Sequence, residues 1–101
     1  MNRFKMLLPL LAVSVLTANT GASLYKKKCA GCHGYKGEKH ALGHSHSIHG
    51  MPKHKVIELM QEYATGKKKG MPIAKSVKKH FMKKYSTEEI NAVASYVSKL
   101  Q

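Results

Sequence analysis

The sequence predicts an all-α fold, and three observations support this prediction. Apolar residues recur at helical spacing in a central segment that ends at Gly66 and in a last segment that follows Ser86. The longest stretch without such a period, residues 35–49, is rich in glycine and histidine, as loops are. No segment shows the alternation of apolar and polar residues that marks a strand. We therefore expect short helices joined by loops and no sheet.

The amino-terminal residues are predicted to be a secretory signal. Basic residues precede an apolar run from Met6 to Leu16, and the small residues Thr20-Gly21-Ala22 offer a cleavage site. The run is too short to span a bilayer comfortably, since a membrane helix takes roughly 20 apolar residues. We expect cleavage after Ala22, and cleavage after Ala18 or an uncleaved anchor are the alternatives. The chain is then expected in the periplasm.

Residues 1–22 are thus assigned to the signal peptide and residues 23–101 to one small domain. A domain this short has a thin core and usually needs a metal, disulfides or a buried cofactor. The formal charge of +13 falls to +11 when Arg3 and Lys5 are removed with the signal, and there is no aspartate. Such a charge favours an acidic protein partner or peripheral contact with an anionic membrane. Nucleic acid is disfavoured as a partner because of the export signal.

The first helix of the domain is predicted over residues 23–29. Tyr25 and Cys29 are one helical turn apart, so both can face inward from one side of this helix. The lysines at 26–28 then point outward.

The most specific motif is Cys29-Ala30-Gly31-Cys32-His33, a C-x-x-C-H signature of covalent haem attachment. Each thiol can add to one haem vinyl group, and the histidine can supply an axial nitrogen to the iron. A C-x-x-C pair alone is also compatible with a redox dithiol, a zinc site or a disulfide. The chain has no other cysteine, and these alternatives give His33 no role. We predict one haem c held by Cys29 and Cys32, with His33 as the proximal iron ligand.

The loop over residues 35–49 carries a cluster of histidines, namely His40, His44, His46 and His49. Neutral imidazole binds zinc, copper and nickel, and one of these side chains could also compete for the haem iron. Histidines in a polar loop are also commonly just solvated. The sequence leaves both alternatives open.

A central helix is predicted to begin near Pro52 and to end at Gly66. Met60 belongs to its apolar stripe and is interpreted as a core residue. The stripe is formed by Val56, Leu59, Met60 and Tyr63.

Met71 is the predicted distal iron ligand. It stands between Gly70 and Pro72 in a basic loop, and the proline favours an extended backbone that presents the thioether from the loop. Met82 is the second candidate and His80 the third. Methionine also commonly fills gaps in cores, which is the alternative role for Met71.

The last helix is predicted from a capping box, in which Ser86 is the N-cap and Glu89 reaches back to it. We expect its apolar face to pack across the amino-terminal helix that carries the cysteines. That face is formed by Ile90, Val93, Ala94, Val97 and Leu100.

The order of these elements resembles that of small bacterial monohaem class I cytochromes c, the short periplasmic c-type cytochromes. The resemblance covers essentially the whole predicted domain. The segments that carry it are Cys29-Ala30-Gly31-Cys32-His33-Gly34, Tyr63-Ala64-Thr65-Gly66, Gly70-Met71-Pro72 and Tyr85-Ser86-Thr87-Glu88-Glu89-Ile90.

One departure from the family's pattern concerns the distance between the axial methionine and the last helix. In the family this methionine stands a short loop before that helix. Met71 precedes Ser86 by many more residues than such a short loop contains, whereas Met82 precedes Ser86 by too few. Neither spacing matches. We therefore expect residues 73–84 to form a rearranged or extra basic helical turn beside the ligand loop.

The resemblance implies a cytochrome c-like fold of three to five short helices around one covalently bound haem, with crossed first and last helices. It implies a soluble electron carrier, not an enzyme, whose iron cycles between Fe(II) and Fe(III). Its partners would be acidic oxidase, reductase or dehydrogenase subunits that dock against lysines at 26–28, 67–69 and 75–84. The alternatives are a haem protein with an open distal site, acting on a gas or as a peroxidase, and a periplasmic metal-binding protein that uses the histidine loop.

Overall fold

The computed structural model describes residues 20–40 and 46–101, and the regular structure in these two ranges is helical, without a strand. The predicted all-α class is therefore confirmed. Most of the predicted signal segment and His44 lie outside the described residues. No helix within the described ranges is both long and apolar enough to cross a bilayer. The helices are α1 (20–28), α2 (Ala30–His33), α3 (Lys53–Thr65), α4 (Pro72–Lys84) and α5 (Thr87–Ser98).

The first helix starts earlier than predicted, because residues 20–22 are already helical. Within this added turn Gly21 is buried against α5. A Cβ atom at Gly21 would lie 2.5 Å from the carbonyl oxygen of Ala92, so the two backbones approach as closely as only glycine permits. The expected packing of the first helix across the last is thus present, and it includes Gly21, which lies ahead of Ser23.

The core is built mainly from α5 and from the helix that precedes the cysteines. Tyr25, Val93 and Val97 are the largest fully buried side chains. The Tyr25 ring packs against that of Tyr96, with a centroid separation of 5.4 Å. The complete cluster of buried apolar residues is Leu24, Tyr25, Ala30, Val56, Phe81, Ile90, Val93, Ala94 and Val97.

The central helix α3 follows Pro52 and packs against both α4 and α5. It ends where predicted, at Gly66, whose φ of 83° lies in the left-handed region that favours glycine. The Gly66 amide donates to the Tyr63 carbonyl at 3.3 Å. Of the predicted apolar stripe, Val56 is buried and the other members are half-buried.

The segment between Met71 and Ser86 differs from its prediction, because α4 is a complete helix of 13 residues and not an extra turn. Pro72 begins it, as proline commonly begins helices. Its inner face carries Phe81, which is buried, and Lys78, which is half-buried. A lysine at an inward position interrupts the apolar period, which is why the pattern did not reveal this helix.

The capping box of α5 is present as predicted. The Glu89 amide donates to the Ser86 Oγ at 3.2 Å, and the Ser86 amide donates to the Glu89 Oε1 at 2.9 Å. Two amides that the helix cannot satisfy internally are thereby paired.

We expect Ser86→Ala to lower the stability of the domain by about 1 kcal/mol, because the Glu89 amide loses its acceptor. In a domain of this size such a loss lowers the midpoint of thermal unfolding by about 4–8 °C. Circular dichroism of the exported protein measures this shift. Ser76→Ala, at an exposed position inside α4, is the control and should leave the midpoint unchanged. Equal midpoints for the two variants would contradict a role for the capping box.

Candidate haem-attachment site

The short helix α2 places the three motif side chains on a single turn. The Cys32 and His33 amides both donate to the Cys29 carbonyl, at 3.2 and 3.0 Å. Residues three and four positions apart on a helix are neighbours on one face. Both cysteines are free thiols, with Cys29 half-buried and Cys32 exposed. The turn therefore presents two sulfurs and an imidazole in the same neighbourhood.

The chain turns sharply after the motif, because Gly34 has a φ of 87°. Its amide donates to the Ala30 carbonyl at 2.7 Å and ends the helix. This φ lies in the region that residues with a side chain rarely adopt, so the turn favours glycine. The Lys39 amide donates to the His33 carbonyl at 2.9 Å and holds the His33 backbone within the turn.

A second glycine closes the base of the following loop. Gly37 has a φ of 68°, and its carbonyl accepts from the amides of Ile48 and His49 at 2.8 and 3.1 Å. The two ends of the loop are thus joined by backbone hydrogen bonds directly behind the motif.

Tyr25 ties the helix before the motif to the turn after it. Its hydroxyl donates to the Gly34 carbonyl at 2.5 Å, and the whole side chain is buried. Burial raises the pKa of Tyr25 to about 12, since the phenolate would lose its hydration. The inward orientation of Tyr25 was predicted and is confirmed; the partner of its hydroxyl was not predicted.

The imidazole of His33 is held in its neutral form. Burial, aided by the nearby Lys78 ammonium, lowers the pKa of His33 to about 4. Its Nδ1 is buried and makes no hydrogen bond to any described residue. A neutral imidazole keeps a lone pair for a metal, so this side chain has the protonation state that an iron ligand needs.

Lys78 is a neighbour of the motif that was not predicted. The sequence indicated only that Lys78 belongs to a basic segment. Its ammonium interacts with His33 and with both cysteines. Burial raises the pKa of Cys29 to about 11, and the Lys78 charge opposes this shift. Burial in turn lowers the pKa of Lys78. Its place one helical turn before Phe81 is the signal that could have assigned it to the inner face of α4.

The remaining predicted ligands are distributed around the molecule. Met71 is 42% exposed at the start of α4, whereas Met82 packs against the core. His80 is exposed, as are the three loop histidines in the described ranges, His40, His46 and His49. No group of three or more potential metal ligands occurs among the described residues.

The donor set of the motif fits haem c. Two free thiols on one helical turn can form two thioether bonds, and the adjoining neutral imidazole can bind the iron. The model of the family called cytochrome c matches residues 18–101. The chain belongs to the cytochrome c family. The predicted resemblance, the cytochrome c-like fold and the haem c cofactor are thereby confirmed.

This cytochrome is similar in sequence to two relatives that are both named cytochrome c-553. Cytochrome c-553 of Nitratidesulfovibrio vulgaris is 41% identical over 88 residues, which cover 87% of this chain and 83% of that protein. Cytochrome c-553 of Helicobacter pylori is 33% identical over 101 residues, the full length of both chains. This cytochrome accordingly carries covalently bound haem c with iron and is a monohaem electron carrier. Neither alternative function receives support.

We expect Tyr25→Phe to lower stability at pH 8 by about 1 kcal/mol, the typical contribution of one intramolecular hydrogen bond. The raised pKa of Tyr25 means that the fold favours the neutral phenol. This contribution is complete below pH 10 and is lost as the pH rises from 10 through about 12. Thermal unfolding at pH 8 and pH 11 should therefore show a smaller alkaline loss in the variant. Tyr35→Phe, at an exposed position, is the control and should behave as the wild type.

Proposed function

We propose that this cytochrome is a periplasmic electron carrier in which Cys29 and Cys32 form the thioether bonds to haem and His33 is the proximal iron ligand. The observation that carries the proposal is the single turn of α2 that presents both thiols beside a neutral imidazole. When bound, haem supplies an iron that exchanges one electron between its ferrous and ferric states. We further propose that the protein is not an enzyme, because His33 and a methionine would together fill the iron's open coordination positions and leave none for a substrate.

The chain's own residues fix the geometry of this site. The Tyr25 hydroxyl and the Lys39 amide hold the turn that follows His33, so the imidazole keeps its position as the electron is exchanged. Small structural change between the two redox states keeps electron transfer fast. The apolar core supplied by α5 excludes water from one side of the motif.

We assign Met71 as the distal ligand, with Met82 as the alternative. Among the methionines in the described ranges, Met51, Met60 and Met82 pack against the core cluster, whereas Met71 does not. Met71 also has an extended backbone, with φ of −64° and ψ of 143°. A thioether that is not needed in the core and stands in a loop is available to an iron.

The assignment of the distal ligand is tested with Met71→Leu and Met82→Leu. We expect the charge-transfer absorption between methionine sulfur and ferric iron to disappear in the Met71 variant and to persist in the Met82 variant. Both variants should retain haem after acid extraction, since the thioether bonds are unchanged. Loss of the absorption in the Met82 variant alone would reverse the assignment.

We propose acidic redox proteins as the partners of this carrier. Helix α4 contains no acidic residue and begins next to Met71. Its lysines give the side of the molecule near the motif a positive field, which steers an acidic partner and weakens with salt. These lysines are Lys75, Lys78, Lys79, Lys83 and Lys84.

The positive field is tested with two small redox probes. We expect oxidation by anionic hexacyanoferrate(III) to slow as ionic strength rises and oxidation by a cationic cobalt(III) complex to accelerate. Replacing Lys75 and Lys79 by glutamine should slow the anionic reaction several-fold at low salt. Replacing Lys53 and Lys99 by glutamine removes the same charge elsewhere and is the matched control. Equal effects of the two pairs would rule out α4 as the docking helix.

A further inference from the structure

We propose that signal peptidase cleaves this chain after Ala18, so that residues 19–22 belong to the mature protein and residues 20–22 form the first turn of α1. The inference rests on the export that is part of the proposed function. This cleavage site differs from cleavage after Ala22, which the sequence alone favours. The evidence for it is a packing contact between α1 and α5.

The contact lies between the backbones of α1 and α5. Gly21 is buried, and a Cβ atom there would lie 2.5 Å from the carbonyl oxygen and 2.9 Å from the carbonyl carbon of Ala92. Real Cβ atoms essentially never approach other atoms this closely. The absence of a side chain at Gly21 is therefore what allows the two helices to cross at this distance.

Cleavage after Ala22 would remove this contact. The segment lost would include Gly21 and would uncover Ala92, which is 8% exposed with α1 in place. It would also place a charged amino terminus at Ser23, directly before the buried Leu24. A positive charge close to a buried core costs hydration. A mature chain that begins at Asn19 keeps the contact between Gly21 and Ala92 and has its charged amino terminus further along the chain from Leu24.

Two further observations agree with a site at Ala18. Ala18 is a small residue close behind the apolar run that ends at Leu16. The match to the cytochrome c family begins at residue 18, so the similarity to the family already includes the residues ahead of Ser23.

The amino terminus of the exported, haem-loaded protein tests the site directly. Intact mass and amino-terminal sequencing should show a chain that begins at Asn19. A chain that begins at Ser23 and carries haem would overturn the cleavage site while leaving the proposed function intact. A chain that begins at Met1 and lacks haem would overturn the export on which both proposals rest.

The contribution of Gly21 is tested with Gly21→Ala and the control Ser23→Ala, at an exposed position of the same helix. If Gly21 is retained, Gly21→Ala should lower the midpoint of thermal unfolding by about 4–8 °C relative to the control. If cleavage occurs after Ala22, the Gly21 variant yields the wild-type mature protein with an unchanged mass and midpoint. That result would overturn the inference. The mass of each variant shows that the substitution has not moved the cleavage site.

Discussion

The hydrogen bond from the Tyr25 hydroxyl to the Gly34 carbonyl is the interaction on which the rest of this small structure depends. It joins the helix ahead of the haem motif to the turn behind it, and so fixes both ends of the motif. Because the Tyr25 ring also contacts Tyr96, the same side chain connects the motif to α5. In a chain with so few core residues, one buried side chain thereby connects the ligand-bearing turn to α5, the helix with five buried residues.

The fold was predictable where the periodicity of the sequence is local and uninterrupted. The apolar stripe and capping box of α5 and the glycine stop of α3 are patterns of neighbouring residues, and the structure shows both. Helix α4 was underestimated because Lys78 takes an inward position that a hydrophobic period assigns to an apolar residue. The start of α1 was missed because small residues suit both signal cleavage and close helix packing, so composition alone does not distinguish the two.

The residues of the candidate site were likewise predictable where the signal is local in sequence, and not where folding brings distant residues together. Cys29, Cys32 and His33 are close together in sequence, and their spacing alone indicates their chemistry. The proximity of Lys78 to His33 arises only when α4 folds against the motif, from which it is distant along the chain. Such a contact leaves no local signal. The distal ligand is harder still to predict, since it depends on how the loop around Met71 would pack against haem, a group that the sequence does not encode.

The backbone bonds between Gly37 and residues Ile48 and His49 have a consequence for how this family can vary. They hold the two ends of the intervening loop together independently of what lies between them. The entropy of closing a loop grows only with the logarithm of its length, by about 0.6 kcal/mol for each doubling. Insertions and deletions between Lys39 and Ile48 are therefore inexpensive, and they keep both the hydrogen bond from the Lys39 amide to the His33 carbonyl and the position of the haem-binding turn. This makes the loop the natural place for length differences among relatives and for the insertion of a tag.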